Sequence, residues 1–600
     1  MMPCDALFSI AKEGFLAYKL ASGSQINLIM FAHPTQVFAG RIASVRRGAC
    51  CAAIWVGFYL CLLACRAEAN VFASNIKLNG STNNAAVVPG SAVQISYILN
   101  EPATAGAVVQ VYSGSNIVQS FSCPTGMPGA LAGSNSVSWN CTQTNGAFVP
   151  LGSYWVRIQG AAIGYPSWTN ITDDGTNFWV QTPSAIAVDQ NTNSLFYGRV
   201  FVSSSPPYPV LPATPGLFKF NADGSPADEG SFSTGGYPWS GWLVSPWKMS
   251  ISGDDKLYIN DFAGQGLVMA FDPVLTTNGS LDVFRPDNYP LTTSTNSGPF
   301  VHGAGDNTQI WMVDWNLGGV GVVRWTLGSN GVLASNDPGT VVVSPTNEDL
   351  NFHLIDLAVD TNGFIFTVQC IDGADSNALA PFPRLMQYAA YAGVPQIVPR
   401  WAIGANQDSL DYAYGLAVDP TARFAAVAAR GDGGGAGPTG GEYQENGGIS
   451  IFFAQTGVLI TNINQDPGGA TNQQYTDVAW DKVGNLYAAD FSEDLWRVYS
   501  PPGANHSATV AVPIIQAYQA FTPPLLSAPT WSTNALQSTN EFQFALLGQG
   551  SVSYWIEESS DLANWTIVAT NYSVQALRSI ALPAPGQQGF FRAVVAPPFQ

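Results

Sequence analysis

The chain has 600 residues and a formal net charge of −19, and only 10% of its residues are charged. This length exceeds what one hydrophobic core can organise, so we expect several domains, and the acidic charge disfavours nucleic acid or an anionic membrane surface as a partner. With 46% hydrophobic residues, 60 Gly and 40 Pro, the composition excludes wholesale disorder and favours an all-β chain of short strands and tight turns.

Residues 1–69 have the features of an export leader. Arg46 and Arg47 precede an apolar core at residues 49–64, and small residues at Ala67 and Ala69 offer a cleavage site. The apolar core is shorter than the roughly 20 residues that a membrane-spanning helix needs. We therefore predict a bacterial signal peptide, a secreted or cell-surface protein, and no membrane span in the mature chain.

Two features of the leader allow alternative interpretations. The arginines lie far from Met1, so either the leader is unusually long or translation starts downstream, for example at Met30. Leu62-Leu63-Ala64-Cys65 also resembles a lipobox, and in that alternative Cys65 carries a lipid anchor.

Three cysteines follow the leader: Cys123, Cys141 and Cys370. In an oxidising compartment Cys123 and Cys141 could bridge within one small domain, so we predict a disulfide between them. Cys370 is interpreted as a small buried hydrophobe.

Residues 70–181 form the first predicted domain. Val93, Ile95 and Tyr97 alternate with the period of two that is typical of strands. The segments at 133–139 (GSNSVSW) and 149–154 (VPLGSY) resemble the immunoglobulin-like module of the flagellar hook-capping family, and depart from it at Asn140-Cys141, where that family usually has Asp-Gly. The resemblance implies a β-sandwich that acts as a spacer and carries no catalytic residues.

Internal repeats occupy residues 182–525. Six copies share a strand, a turn and a second strand, and a third-strand pattern follows each copy. One polar position keeps the same register in all six copies: Asp189, Ser252, Asp306, Asp360, Asp419 and Asp481. Each copy has an apolar sheet face that it cannot bury alone, and radial packing of six sheets buries every face. We therefore predict a six-bladed β-propeller flanked by two small β-sandwich domains.

The repeated aspartate stands where the first strand of each copy turns. Its carboxylate can accept hydrogen bonds from the turn backbone, so we interpret it as structural. The pattern around it, clearest from Asp477 to Asp490, resembles the NHL-repeat propellers.

Residues 526–600 form the last predicted domain. The segment from Tyr554 to Trp565 and the end at Phe590-Phe591-Arg592 are similar to a fibronectin-III-like module found in large exported proteins of Verrucomicrobia and their relatives. The resemblance implies a bacterial exported protein and a role in attachment or sorting.

Four residues before the repeated polar position, the six copies place a ring of residues at the predicted channel. The ring consists of Ala185, Lys248, His302, Asp356, Gly415 and Asp477. Its four polar members, if they converge, make a candidate catalytic site with coupled pKa values. The alternative is that these groups satisfy one another and ordered water along a wet channel.

A metal site is not predicted. Six-bladed propellers include the gluconolactonase and senescence-marker family, whose carboxylate and Asn ligands would map one position before the ring. Those positions are Ser184, Trp247, Val301, Ile355, Tyr414 and Thr476, and none has a carboxylate or carboxamide. We expect no cofactor.

Aromatic residues offer a different candidate site. Trp239, Trp242 and Trp247 cluster before the second copy, where exposed rings could stack on a sugar, or else pack between blades. His353 precedes the fourth copy and could join His302 at the channel.

Three functions follow from these features. The first is an exported, non-enzymatic recognition or scaffold protein whose propeller face binds a glycan or a protein. The second is a sugar- or lactone-directed hydrolase or lyase that uses the polar ring, and the third is a structural surface component. The fold class does not decide among them.

Overall fold

The computed structural model describes part of the chain, namely residues 70–205, 216–232, 236–239, 245–261, 267–276, 281–284, 296–314, 321–333, 337–345, 354–370, 383–403, 410, 412–430, 447–463, 474–508, 513–517, 525–527, 530–534, 539–547, 552–573, 577–583 and 589–595. The chain divides into two compact units, Met1–Arg66 and Ala67–Gln600. The predicted leader lies outside the described residues, as does Cys65.

Strands dominate the described residues, which confirms the all-β prediction. The helical elements among them are two single 3₁₀ turns, Thr176–Phe178 and Gly305–Asn307. In this described part, no helix has the length and apolar character needed to cross a membrane.

Two sheets enclose one apolar core at the start of the second unit, and we call this part the N-terminal module. Its strands, numbered in chain order, are β1 Ala73–Leu78, β2 Ala85–Val87, β3 Val93–Leu99, β4 Gly106–Ser113, β5 Asn116–Cys123, β6 Gly133–Trp139 and β7 Gly152–Tyr165. One sheet has the order β1-β3-β6, and the other contains β2, β7, β4 and β5.

The two sequence motifs of this module serve its core. Trp139 and Tyr154 are buried with their rings 5.7 Å apart, and the Tyr154 hydroxyl donates to the Pro150 carbonyl at 2.6 Å. Asn135 accepts a hydrogen bond from the Gly129 amide and donates to the Gly133 carbonyl, which fixes the turn before β6. The motifs therefore hold the fold of the module rather than a site.

Six four-stranded antiparallel sheets follow, and in the first five the strands are in chain order. Sheet 1 is β9 Pro183–Val188, β10 Val200–Ser204, β11 Gly216–Phe220 and β12 Tyr237–Pro238; sheet 2 is β13 Met249–Ile251, β14 Leu257–Asp261, β15 Leu267–Phe271 and β16 Leu281–Phe284; sheet 3 is β17 Asn296–His302, β18 Gln309–Asp314, β19 Val322–Thr326 and β20 Thr340–Val343. Sheet 4 is β21 Leu354–Val359, β22 Ile365–Gln369, β23 Leu385–Tyr388 and β24 Trp401–Ile403; sheet 5 is β25 Ala413–Val418, β26 Phe424–Ala429, β27 Gly448–Phe453 and β28 Leu459–Ile463; sheet 6 is β29 Tyr475–Trp480, β30 Leu486–Asp490, β31 Leu495–Ser500 and β8 Thr169–Asn170.

Each of these sheets packs on the next in cyclic order. The first strands are in contact as β9 with β13, β13 with β17, β17 with β21, β21 with β25, β25 with β29, and β29 with β9. A separate apolar cluster fills each gap, including the gap between sheets 6 and 1. These clusters bury apolar side chains of the first strands, such as Ile186, Leu357 and Val478.

Strand pairing crosses the predicted domain boundaries in two places. Strand β8, which precedes sheet 1 in the chain, is the outer strand of sheet 6. After sheet 6 the chain returns to the N-terminal module, where β32 Gly503–Ala508 and β33 Ile515–Ala517 both pair with β7. Strands on the two sides of the limit predicted at 181 therefore share sheets.

The last part of the chain forms two further small sheets. Their strands are β34 Leu525–Leu526, β35 Thr530–Asn534, β36 Thr539–Leu547, β37 Val552–Ser559, β38 Thr566–Ser573, β39 Leu577–Pro583 and β40 Phe590–Val595. Strand β36 pairs with β34, β35 and β39, and β37 pairs with β38 and β40. Phe544, Tyr554 and Ile556 lie in their shared core.

Candidate binding cavity

A cavity of about 590 Å³ runs along the inner strands of the six sheets. Its wall consists of the first strands, and its rim consists of the turns that follow them. The rim residues are Gln190, Asn191, Gly253, His302, Thr361, Pro420 and Lys482. This size suits a small organic ligand, because ligand pockets usually measure about 300–1,000 Å³.

Three of the four polar ring residues meet at the floor of this cavity. The Lys248 ammonium lies 2.7 Å from Asp477 Oδ1 and 3.5 Å from Asp356 Oδ2. All three residues are buried, with Asp356 the most exposed at 8%. Lys248, Asp356 and Asp477, three members of the predicted ring, therefore lie together in the structure.

Backbone groups complete the partners of this floor. The amides of Leu357 and Leu416 donate to Asp356, and the amide of Ile186 donates to Asp477. The Lys248 ammonium also donates to the Thr476 carbonyl at 2.8 Å. Hydrogen bonds at the floor thus join sheet 4 to sheet 5 and sheets 1 and 2 to sheet 6, and the ion pair of Lys248 with Asp356 links the two groups. Each carboxyl oxygen has a donor within the protein, although Lys248 supplies one positive charge for two carboxyls.

The other ring positions hold small residues because the charged side chains fill the space beside them. A side chain at Gly415 would place its Cβ 2.5 Å from the Asp477 Cα, and Ala185 is fully buried. Around the ring, small residues on sheets 1 and 5 therefore alternate with charged residues on sheets 2, 4 and 6.

His302 does not belong to the floor, and its predicted register was wrong by four residues. In sheet 3 Val301 pairs with Ile310, and the equivalent pair in sheet 4 is Val359 with Ile365. The next residue in each strand is His302 or Asp360, so His302 takes the position of Asp360 at the rim. It is exposed there.

Gly298 takes the floor position of sheet 3 instead. Its φ is +43°, and a Cβ there would lie 2.8 Å from Asp356 Oδ1. The register was missed because β17 has an irregularity between Ser297 and Phe300 and is followed by a longer turn. Asp306, which was aligned with the repeated aspartates, lies in that turn and is exposed.

The other repeated aspartates cap their turns, as predicted. Asp360 Oδ1 accepts from the amides of Asn362 and Phe364 at 2.9 and 2.8 Å. Asp481 accepts in the same way from Val483 and Asn485. Asp189 and Asp419 also bind turn amides, so these carboxylates hold the rim in shape.

Burial changes the acidity of the floor carboxyls. Desolvation raises the pKa of Asp356, the Lys248 charge lowers it, and the Asp477 charge raises it again. Desolvation likewise raises the pKa of Asp477 against the opposing effect of Lys248. One proton is thus held more tightly by this pair than by an exposed carboxyl.

The aromatic residues proposed for stacking on a sugar are buried where the structure describes them. Trp247 packs against Tyr414 with the ring centres 6.0 Å apart, in the cluster between sheets 4 and 5, and Trp239 packs beside Phe271. The prediction that Trp239 and Trp247 form a binding face is therefore wrong, because neither presents a free ring. Trp242 and His353 lie outside the described residues.

The predicted disulfide is not formed, and Cys123, Cys141 and Cys370 are buried cysteines outside any disulfide. Cys123 on β5 lies opposite Ala107 on β4, and Ala107 lies opposite Gly160 on β7. Cys141 instead lies near Tyr154, at the start of β7. These positions on β7 are six residues apart, which corresponds to about 20 Å of strand. The two thiols are therefore at opposite ends of the module.

Among the described residues, no group of three or more His, Cys, Asp or Glu side chains is arranged to hold a metal ion. The position before the ring instead supplies contacts between sheets. Ser184 donates to the carbonyl of Pro246, just before sheet 2, at 2.9 Å, and Thr476 of sheet 6 donates to the Pro183 carbonyl of sheet 1. Hydroxyl groups at this level therefore join neighbouring inner strands.

No family model matches this chain, and no curated protein is similar to it. Among solved structures it is similar to a protein of unknown function from Bacteroides caccae, solved at 1.35 Å, with 11% identity over 55% of this chain and 82% of that one and a TM-score of 0.23. A truncated trimeric ectodomain of the C. elegans fusion protein EFF-1 aligns with 9% identity over 87% and 94% of the two chains and a TM-score of 0.09. At these scores neither likeness bears on fold or function.

Proposed function

We propose that this chain is an exported, non-enzymatic recognition or scaffold protein that binds a glycan or protein partner on a six-bladed β-propeller. The cyclic contacts of the six inner strands support the propeller. In this propeller β8, which precedes sheet 1 in the chain, is the outer strand of the last blade and pairs with β31. In this proposal the rim of the cavity belongs to the binding face.

The partnered carboxyl oxygens of the floor are the observation that favours binding over catalysis. A general acid or base must have a proton-transfer atom free to reach the substrate. Here the oxygens of Asp356 and Asp477 already accept from backbone amides and face Lys248. The floor is therefore suited to bracing the sheets, while the rim is left to contact a ligand.

The flanking parts suit a protein that works outside the cell. We propose that the N-terminal module is an immunoglobulin-like spacer and that residues 526–600 are a fibronectin-III-like module for attachment. The leader at residues 1–69 would direct the chain to secretion or to the cell surface, with lipidation of Cys65 as the alternative form of anchoring.

A ligand screen tests this function. Thermal unfolding of the full chain would be measured with panels of neutral, acidic and amino oligosaccharides, because a ligand that binds the native state raises Tm by mass action. A shift that is lost in His302→Ala or Lys482→Ala, but kept in the exposed control Asp306→Asn, supports binding at the rim. A panel without any shift removes the glycan form of the proposal and leaves a protein partner, to be tested by crosslinking on intact cells.

Hydrolysis or elimination on a sugar or lactone is the second candidate function. It is favoured by the raised pKa of Asp356, which lines the cavity and holds a proton at a higher pH than an exposed carboxyl. Turnover of sugar lactones or uronate oligosaccharides that Asp356→Asn abolishes, with Tm unchanged, would replace the first proposal by this one.

A further inference from the structure

The N-terminal module packs against sheets 1 and 6, and we call this contact the seam. Phe72 of the module and Tyr197 of sheet 1 have ring centres 5.2 Å apart, and both are buried with Ala222. Lys77 pairs with Asp228 at 2.8 Å at the edge of the seam. Aromatic packing and the ion pairs of Lys77 with Asp228 and Glu229 thus hold the module to sheet 1.

Hydrogen bonds join the module to sheet 6 around Asn70. The Asn70 carbonyl accepts at 2.8 Å from Asn100 of the module and from Asn485 of sheet 6. The Asn70 amide in turn donates to the Pro501 carbonyl at 3.1 Å. Because Glu101 follows Asn100 directly, its position is set by this network.

Glu101 is a buried acid with an incomplete set of partners. The residue is 2% exposed, and its Oε2 accepts from the Tyr165 hydroxyl at 3.0 Å. Its Oε1 is buried and bonds to no described residue. A buried carboxylate oxygen without a partner costs free energy, whereas a protonated carboxyl has less charge to compensate.

The titratable groups that face Glu101 do not compensate a negative charge. They are Tyr165 of β7 and Tyr487 of sheet 6, and the Tyr487 hydroxyl lies 3.4 Å from Asp481, a further buried acid. No Lys, Arg or His is among the groups that act on it in the described residues. Burial accordingly raises the pKa of Glu101 to about 7, against a small opposing effect of the Tyr165 hydrogen bond.

We propose that Glu101 makes the seam sensitive to pH, so that the module is held firmly when the carboxyl is protonated and loosened when it ionises. A group that binds its proton more tightly in the docked state favours docking at low pH. That preference is lost as the pH rises from about 4.5, the value for an exposed glutamate, to about 7. The module would therefore be most firmly attached in mildly acidic surroundings.

Hydrogen exchange on the full chain tests this directly. Exchange of the seam peptides 70–78 and 481–487 would be followed at pH 5.5 and 8.0 and corrected for the intrinsic rates. From the two pKa values, Glu101 alone should increase the opening equilibrium of the seam about 30-fold over this interval. Glu101→Gln should remove this increase, and the exposed control Asp306→Asn should keep it.

Tyr165→Phe gives a second test, in which the pH dependence of seam opening should increase and not disappear. Loss of its hydrogen bond removes the only described partner of the carboxylate, so the opening equilibrium should depend on pH more steeply than in the wild type. Unchanged pH dependence in Glu101→Gln would overturn the proposal. If Glu101→Gln does not fold, a wild-type slope in Tyr165→Phe overturns it equally.

Discussion

The Lys248 ammonium lies 2.7 Å from the Asp477 carboxylate, although the two residues are 229 positions apart in the chain. Lys248 directly precedes the inner strand of sheet 2, and Asp477 lies on the inner strand of sheet 6. The contact therefore spans sheet 1, which separates these two sheets in the cyclic order. One pair of side chains thus fixes the spacing of three sheets.

Lys248→Met should destabilise the protein strongly. Met has similar volume, but the change leaves two buried carboxyls without their cation, a loss of about 3–5 kcal/mol. This loss is measured as the difference in the free energy of unfolding between the variant and the wild type, from urea titration at pH 8. Lys256→Met is the control, because that side chain is 47% exposed and its ion pair with Asp254 should be worth less than about 1 kcal/mol. Equal losses in the two variants would contradict the bracing role of the floor.

Asp356→Asn should flatten the pH dependence of stability. The pKa of Asp356 is raised in the folded protein, chiefly by burial, so the folded state keeps a proton that the unfolded state releases. The wild type therefore loses stability as the pH rises from about 4 to about 7, with a limiting slope of about 1.4 kcal/mol per pH unit for one proton. Urea titrations across this range should give a smaller slope in the variant. A slope that stays the same would mean that Asp356 is ionised throughout.

The corrected register of sheet 3 can be tested with two substitutions. Gly298→Ala should cost about 1–3 kcal/mol, because φ is +43° and the new Cβ would lie 2.8 Å from Asp356 Oδ1. His302→Ala should change stability by less than about 0.5 kcal/mol, since the side chain is exposed at the rim. Guanidinium denaturation of both variants decides between the two registers of sheet 3. A larger loss at His302 would restore the register expected from the sequence.

These residues illustrate how far the sequence could predict the structure. The repeats predicted the six sheets and brought Lys248, Asp356 and Asp477 to one level, because their register follows from strands of similar length. In sheet 3 an irregular strand and a longer turn placed Asp306 where the repeated aspartate was expected. Local pattern cannot detect such a slip, since apolar alternation continues on both sides of it.

The seam could not be predicted because it depends on contacts between distant parts of the chain. Asn70 and Asn485, which bond to each other, are 415 positions apart. Glu101 belongs to no repeat, and in the sequence it is an ordinary acid before Pro102. Only its burial distinguishes it. The shared strands β8, β32 and β33 were missed for the same reason, since each pairs with a strand far away in the chain.

Gly198→Ala should weaken the seam. A Cβ there would lie 2.4 Å from the Phe72 ring, and φ is +78°. Gly114→Ala is the matched control, because φ is +57° and nothing lies within 4 Å of its new Cβ. Both variants carry the conformational cost of about 1 kcal/mol, but only Gly198→Ala adds a clash of about 1–3 kcal/mol. The difference between their Tm values isolates the contact with Phe72, and equal Tm values would contradict it.

Arg497→Met should open the sixth sheet. Arg497 bonds to Asp490, whose side chain is fully buried, and to Asp174 in the segment that carries β8. Removing the guanidinium leaves Asp490 buried without its cation, at a cost of about 3–5 kcal/mol, and frees the segment that supplies the outer strand. Asp174→Asn removes only the half-exposed partner and should cost less than about 1 kcal/mol. Limited proteolysis should cut the Arg497→Met chain near β8 faster than the wild type while Asp174→Asn stays resistant. If both variants resist equally, the closure of sheet 6 depends on the backbone pairing of β8 with β31 rather than on this cation.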